Sequence, residues 1–360
     1  IKRAVNIPVI TVGRYTEPQF AELMVKEGRA DLVAFGRQSL ADPAMPKKAL
    51  EERLEDMTPC IACLQGCVAN MYAGNPVCCL TNPFLGHEAE PLEKAEEPKK
   101  VMVIGGGVAG LSAAFIAKER GHEVTLYEAG DVLGGNMRLA AYPPGKGDIT
   151  NMIRSYIHRC QKDGVKIVMN CEVTPELIKE EKPDSVIIAT GSKTLILPIE
   201  GIDNPAIIHG SDLLDGKRAA GKKVLVVGGG MVGCETAAFL GEQEHDVTVI
   251  EFRDTVGADV IHEHRVYLMK DFEDYGIKEI TGAKVCKFYE DGVEYETADG
   301  VRHESRGYDS VILSMGFRNY NPLEEKIKDL VPETHVIGDA IRARRALDAT
   351  KEAYEVASRI

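Results

Sequence analysis

The sequence predicts an α/β protein built around two Rossmann-like dinucleotide-binding folds. "KKVMVIGGGVAGLSAAFIAKERGHEVTLYEAG" and "KKVLVVGGGMVGCETAAFLGEQEHDVTVIEFRD" are near-repeats, each reading strand, Gly-rich turn, helix, and a second strand ending in Glu. The first fifty residues alternate short β-branched runs with a helical one, the pattern of a βαβ unit. Composition agrees, since 360 residues that are 44% hydrophobic suffice for two or three cores.

In chain order, "IPVITVG" reads as a strand, "EPQFAELMVKEG" as a helix and "ADLVAFG" as a second strand. In "RQSLADPAMPKKALEE" an Asp-Pro step starts another helix. The opening "IKRAVNIPVITVG" has no initiator Met and begins almost inside an apolar run, so the chain reads as a portion of a longer protein. A cysteine-rich loop follows, and then "GHEAEPLEKAEEPKK", charged, Pro-punctuated and aperiodic, the composition of a linker. That places a domain boundary near residue 97.

In the first repeat Gly105, Gly107 and Gly110 form GxGxxG. The first glycine permits the tight turn, the second lets the backbone approach a pyrophosphate, and the third lets helix and strand pack closely. The helix N-terminus then offers free N–H groups and partial positive charge to phosphates. Glu128, 18 residues past Gly110, stands where a carboxylate accepts ribose hydroxyls. The second repeat carries Gly228, Gly230, Gly233 and Glu251. An acid at that strand end bonds a free 2′-hydroxyl and repels a 2′-phosphate, favouring NADH over NADPH, a preference tempered by Arg253.

"CIACLQGCVANMYAGNPVCCLTNP", from Cys60 to Pro83, holds five of the nine cysteines. Adjacent Cys78 and Cys79 do not easily bond each other, and scattered Cys160, Cys171, Cys234 and Cys286 lack framework spacing, as in reduced cytoplasmic proteins. Cys60, Cys63 and Cys67 follow C-x2-C-x3-C, with Cys79 eleven residues later. Three close thiolates and a distant fourth suit an iron-sulfur cluster, whereas structural zinc favours two separated Cys-x2-Cys pairs. Spacing leaves zinc and unliganded thiols as alternatives, and leaves Cys78 competing with Cys79.

Charge excludes other classes. Lys plus Arg at 43 against Asp plus Glu at 56 gives −13, which repels a phosphate backbone, so nucleic acid is not expected. No run of about 18 apolar residues suggests a membrane span, and no segment reads as a secretory leader. His87, His122, His209, His262 and His264 have no ligand or triad spacing and are expected at the surface.

The two glycine turns with "LGGNM", "VIIATGS" and "VIGDA" resemble the two-dinucleotide disulfide-reductase-like flavoproteins, in which the second fold is inserted into the first. That resemblance implies FAD at Gly105, Gly107, Ala109, Gly110, Glu128, Gly135, Asn136, Lys146, Val173 and Gly191, with Gly338 and Asp339 approaching its ribityl and pyrophosphate. It implies NADH at Gly228, Gly230, Gly233 and Glu251.

C-x2-C-x3-C-x11-C-L-x-N-P, preceded by a barrel end and followed by both folds, is similar to the 2,4-dienoyl-CoA reductase and 2-enoate reductase group of the old yellow enzyme family. This likeness implies a 4Fe-4S cluster on Cys60, Cys63, Cys67 and Cys79, with Cys78 a bystander. It implies FMN phosphate held by "VGR" (Gly13, Arg14) and "FGR" (Gly36, Arg37) after the last two strands of a (β/α)8 barrel. The implied layout is 1–58 barrel end, 59–97 cluster loop and linker, 98–215 and 309–360 FAD-binding, and 216–308 NAD(H)-binding. Such a barrel takes roughly 250 residues. Most of it is missing here, so no catalytic side chain and no complete turnover are expected of this chain.

The implied activity passes electrons from NADH through FAD and 4Fe-4S to FMN, which reduces the activated C=C bond of a small enoate or enoyl-CoA type substrate. A homo-oligomer in the cytoplasm is the expected setting. Alternatives are an amine dehydrogenase of the trimethylamine dehydrogenase type and a non-catalytic cofactor-carrying scaffold.

Overall fold

The run "KVMVI" becomes the central strand of a parallel sheet because both of its faces are covered. Val101 and Val103 pack against Leu111 and Phe115 of the first glycine helix, Val108–Glu119, while Met102 and Ile104 pack against Ile178 and Ile327 on the other side. The computed structural model describes residues 1–360, which divide into two units. The first comprises Ile1–Met137, Asp148–Gly191 and Asn321–Ile360.

Its five strands are all parallel, in the spatial order 166–168, 123–127, 100–104, 185–188, 333–336. The order reverses beside strand Lys100–Ile104, and a ligand crevice opens at the carboxyl ends of strands at such a point. The helices Asp148–Lys162 and Ala346–Ala357 join the glycine helix on one face.

The charged segment expected to be a linker is laid along the first unit. His87 stacks on Tyr354 at 4.3 Å, and the Ala95 N–H donates to the Arg120 carbonyl at 2.8 Å.

At the start of the chain Ile10–Thr11 pairs in parallel with Leu32–Val33 across the helix Pro18–Lys26, which has Pro at its first position. These strands are shorter than the apolar runs that predict them. Ile7, Ile10, Val12 and Leu32 stand exposed. Arg37, expected in a loop, opens a short helix, Arg37–Ala41, ahead of the helix Met45–Leu50.

The second unit comprises Arg138–Gly147 and Ser192–Tyr320 and repeats the same order, 278–280, 246–250, 223–227, 310–313, 208–209. It is wider than the 216–308 expected, because Ser310–Leu313 pairs with Lys223–Val227 and carries Ile208–His209 on its far side. Residues 138–147 belong to it through ion pairs of Arg138 with Asp215 and Lys146 with Glu235. An antiparallel meander of Lys284–Tyr289, Gly292–Glu296 and Arg302–Ser305 completes it. No helix is long and apolar enough to cross a membrane.

Candidate functional site

The first glycine turn does what its spacing predicts. Gly105 adopts φ +110°, and a Cβ there would lie 2.3 Å from the Ala189 carbonyl oxygen of the neighbouring strand. A Cβ on Gly110 would lie 1.9 Å from the Gly105 oxygen, so helix Val108–Glu119 crosses the turn only because both are glycine. Around Gly107 the space is open, with nothing within 4 Å of where a Cβ would stand. The exposed turn and the helix N-terminus form a phosphate cradle.

Glu128 faces this turn. Its Oε2 accepts the Gly106 N–H and its Oε1 the Gly130 N–H, both at 2.7 Å. The Gly134 N–H donates to the Gly106 oxygen at 2.8 Å, and a Cβ on Gly135 would be 3.2 Å from the Gly107 Cα, so "LGGNM" lies against the turn. Asn136 opens the short helix that follows. Gly338, at φ +63°, sits with its Cα so near Ala109 that a Cβ would be 3.0 Å from the Ala109 Cβ, and Asp339 is the next residue of the same turn. Val173 is buried in the cluster on the opposite sheet face, and Lys146 belongs to the second unit, where it pairs with Glu235. Gly191, at φ +74°, is the last residue before the chain crosses between units.

The second turn matches the first. Gly228 has φ +105°, with a Cβ 2.4 Å from the Ser314 oxygen, and a Cβ on Gly233 would be 1.8 Å from the Gly228 oxygen. Glu251 accepts the Gly229 N–H at 2.6 Å and the Arg253 N–H at 3.0 Å. Gly230 precedes the second glycine helix, Met231–Glu242.

Cys60, Cys63, Cys67 and Cys79 line one small cavity in the first unit, together with Arg37, Cys78 and Thr81. Left-handed backbone at Ala62 (φ +51°) and Leu64 (φ +59°) folds the loop around it. Burial pushes the Cys63 thiol up to about 12. The Gln65 N–H opposes this, while Cys79, Cys67 and Cys60 add to it. Burial also raises Cys79, against hydrogen bonds from Thr81 and Asn82. Five thiols sharing an apolar hollow suit a bound cation, since each thiolate needs positive charge beside it. No three His, Cys, Asp or Glu side chains converge tightly enough to hold a single metal ion. Cys78 is occupied differently, its Sγ accepting from Asn70 Nδ2 at 3.4 Å and crowding Gly66.

Several residues that sequence reasoning passed over support this loop. Buried Gln38 donates to the Thr58 oxygen at 2.9 Å and accepts the Cys60 N–H at 2.8 Å. Asn82 donates to the Leu40 oxygen, and Tyr156 to the Leu80 oxygen at 3.1 Å. Of the FMN candidates, Arg37 lines the cysteine cavity beside Gly36, whereas Arg14, next to Gly13, is ion-paired to Asp148. His122, expected at the surface, is buried instead, because its Nδ1 accepts the Lys99 N–H at 3.0 Å.

Two Rossmann sheets, each with a glycine turn closed by a glutamate, and a cysteine-lined cavity on the first are the framework of a two-dinucleotide oxidoreductase. The chain belongs to the pyridine nucleotide-disulphide oxidoreductase family, which it matches over residues 99–335. Residues 1–56 match the NADH:flavin oxidoreductase / NADH oxidase family. An NADH oxidase of Thermoanaerobacter brockii is 38% identical over 100% of this chain and 56% of its own length. A cinnamate reductase of Clostridium sporogenes is 34% identical over 100% of this chain and 54% of its own. Among solved structures, a 2-naphthoyl-CoA reductase in complex with 2-naphthoyl-CoA superposes with a TM-score of 0.95 at 34% identity, over 100% of this chain and 55% of that one. The chain thus spans about half the length of the curated relatives it matches.

Proposed function

We propose that this chain is the NADH-oxidising and electron-relaying portion of an enzyme that reduces an activated C=C bond of the enoate or enoyl-CoA type. The observation that carries this is the cysteine cavity, bounded by Arg37 from the flavin-oxidoreductase segment and built on the same unit as the first glycine turn. When bound, the implied groups would take two electrons from NADH through FAD and a 4Fe-4S cluster to FMN, and so to the alkene.

The residues have separate tasks. Cys60, Cys63, Cys67 and Cys79, which all line the one cavity, would ligate the cluster. Gly105, Gly107, Gly110 and Glu128 would seat the FAD pyrophosphate and ribose, with Gly338 and Asp339 closing over it. Gly228, Gly230, Gly233 and Glu251 would seat NADH. Arg37 and Gly36 would face the FMN phosphate, and Arg14 beside Gly13 could join them only by leaving Asp148.

The test is anaerobic purification with iron, sulfide and flavin assays, followed by NADH titration at flavin and cluster wavelengths. Bleaching of flavin and then cluster supports the reading. Zinc or no metal in the loop overturns it, and cofactors reduced by an amine but not by NADH would reverse the direction of flow.

A further inference from the structure

The two glycine turns repeat the same backbone contacts in the same register, although their sequences differ. Counting from each strand-end glutamate, Glu128 and Glu251 accept the N–H of Gly106 and Gly229. Gly134 and Gly257 donate to the oxygens of those same glycines, at 2.8 and 2.7 Å. Leu133 and Val256 cover them. Two residues beyond Gly134 stands Asn136, and two beyond Gly257 stands Asp259.

The substitution changes what fills the cradle. Asp259 Oδ1 accepts the N–H of Met231, the first residue of the second glycine helix, at 2.9 Å. Its two carboxylate oxygens lie 3.5 and 3.6 Å from where a Cβ on Gly230 would stand. The equivalent place at Gly107 is open to 4 Å. A carboxylate of the protein itself therefore rests on the Met231 N–H and on the partial positive charge that would otherwise draw a pyrophosphate.

We infer that Asp259 sets the affinity of the second fold, acting as a built-in competitor that an incoming dinucleotide must displace. This deepens the proposed function and rests on the second fold binding a nicotinamide dinucleotide. It gives a physical reason for the two folds to differ in use. A prosthetic flavin would meet no carboxylate at the Gly107 position of the first, while the second must release its product at each turnover, and a carboxylate that returns to Met231 as the phosphates leave favours release.

The experiment is calorimetric titration of the full 360-residue chain with oxidised NAD and with adenosine, which lacks phosphate. Asp259→Asn and Asp259→Ala are expected to bind NAD about tenfold more tightly than the parent chain, equivalent to about 1.4 kcal/mol. Adenosine affinity should be unchanged in both. Parent-like or weaker NAD binding by both variants, with native circular dichroism, overturns the inference, because Asp259 would then be only a helix cap. If adenosine tightens equally, the effect is not on the phosphates and the inference fails while the nicotinamide reading survives. Absence of saturable NAD binding in every form, parent included, removes the nicotinamide reading and this inference with it.

Discussion

Gln38 and Cys60 are joined by a hydrogen bond of 2.8 Å from the Cys60 N–H to the Gln38 Oε1, and the other end of the same carboxamide donates to Thr58. One buried side chain from the flavin-oxidoreductase segment thereby fixes the entry of the cysteine loop. Gln38→Ala strands a half-buried N–H and a half-buried carbonyl, at a cost of roughly 1 kcal/mol. Denaturant unfolding should show that loss, and iron retained per chain after gel filtration should fall. Unchanged stability and iron content would remove Gln38 from this role.

The cysteines should separate into two groups. All five loop cysteines line the cavity, but the Cys78 Sγ already accepts from Asn70 and crowds Gly66. Changing Cys60, Cys63, Cys67 or Cys79 to Ala should abolish cluster absorbance with FAD retained. Cys78→Ala should keep both, and colour lost in that variant alone would refute the ligand set.

Gly110→Ala and Gly233→Ala should each damage one fold. The new methyl group would sit 1.9 or 1.8 Å from a backbone oxygen, which cannot yield as a flexible side chain does. The expected penalty is at or above the upper end of the ~1–3 kcal/mol typical of overpacking. Flavin content should collapse in Gly110→Ala, and NAD binding in Gly233→Ala with flavin preserved. Equal loss of both ligands in both variants would show that the folds do not act separately.

Much of this was legible in the sequence because it is local. A glycine turn, the helix after it and the acid at the next strand end lie within about thirty residues, and periodicity reports them directly. The cysteine spacing is local as well. What remained hidden depends on partners far along the chain. Nothing near Ser310 announces that it pairs with Val224, so the second unit proved wider than its repeat. His122 looked like a surface histidine in a charged turn, but the Lys99 N–H 23 residues earlier draws it inside. Gln38 is one polar residue among many until the loop 22 residues later folds onto it. Asp259 could have been found by extending the repeat alignment past Glu251, since the register of the two turns continues that far.

The core thiols give a pH dependence with a definite sign. Cys160 lies beneath the first glycine helix and Cys234 within the second, both fully buried, and burial pushes each from an ordinary value of 9.0 up to about 12. The unfolded chain sheds these protons near pH 9 and the folded chain only near 12, so unfolding releases protons between the two. The stability they contribute is complete below about pH 9 and is lost as pH rises toward 12. In native protein at pH 8, iodoacetamide should therefore leave Cys160 and Cys234 unmodified while half-buried Cys286 reacts, and all three should react in denaturant. Peptide mass spectrometry reads the outcome. Native labelling of Cys160 at the rate of Cys286 would mean that the first unit opens far more readily than its packing implies.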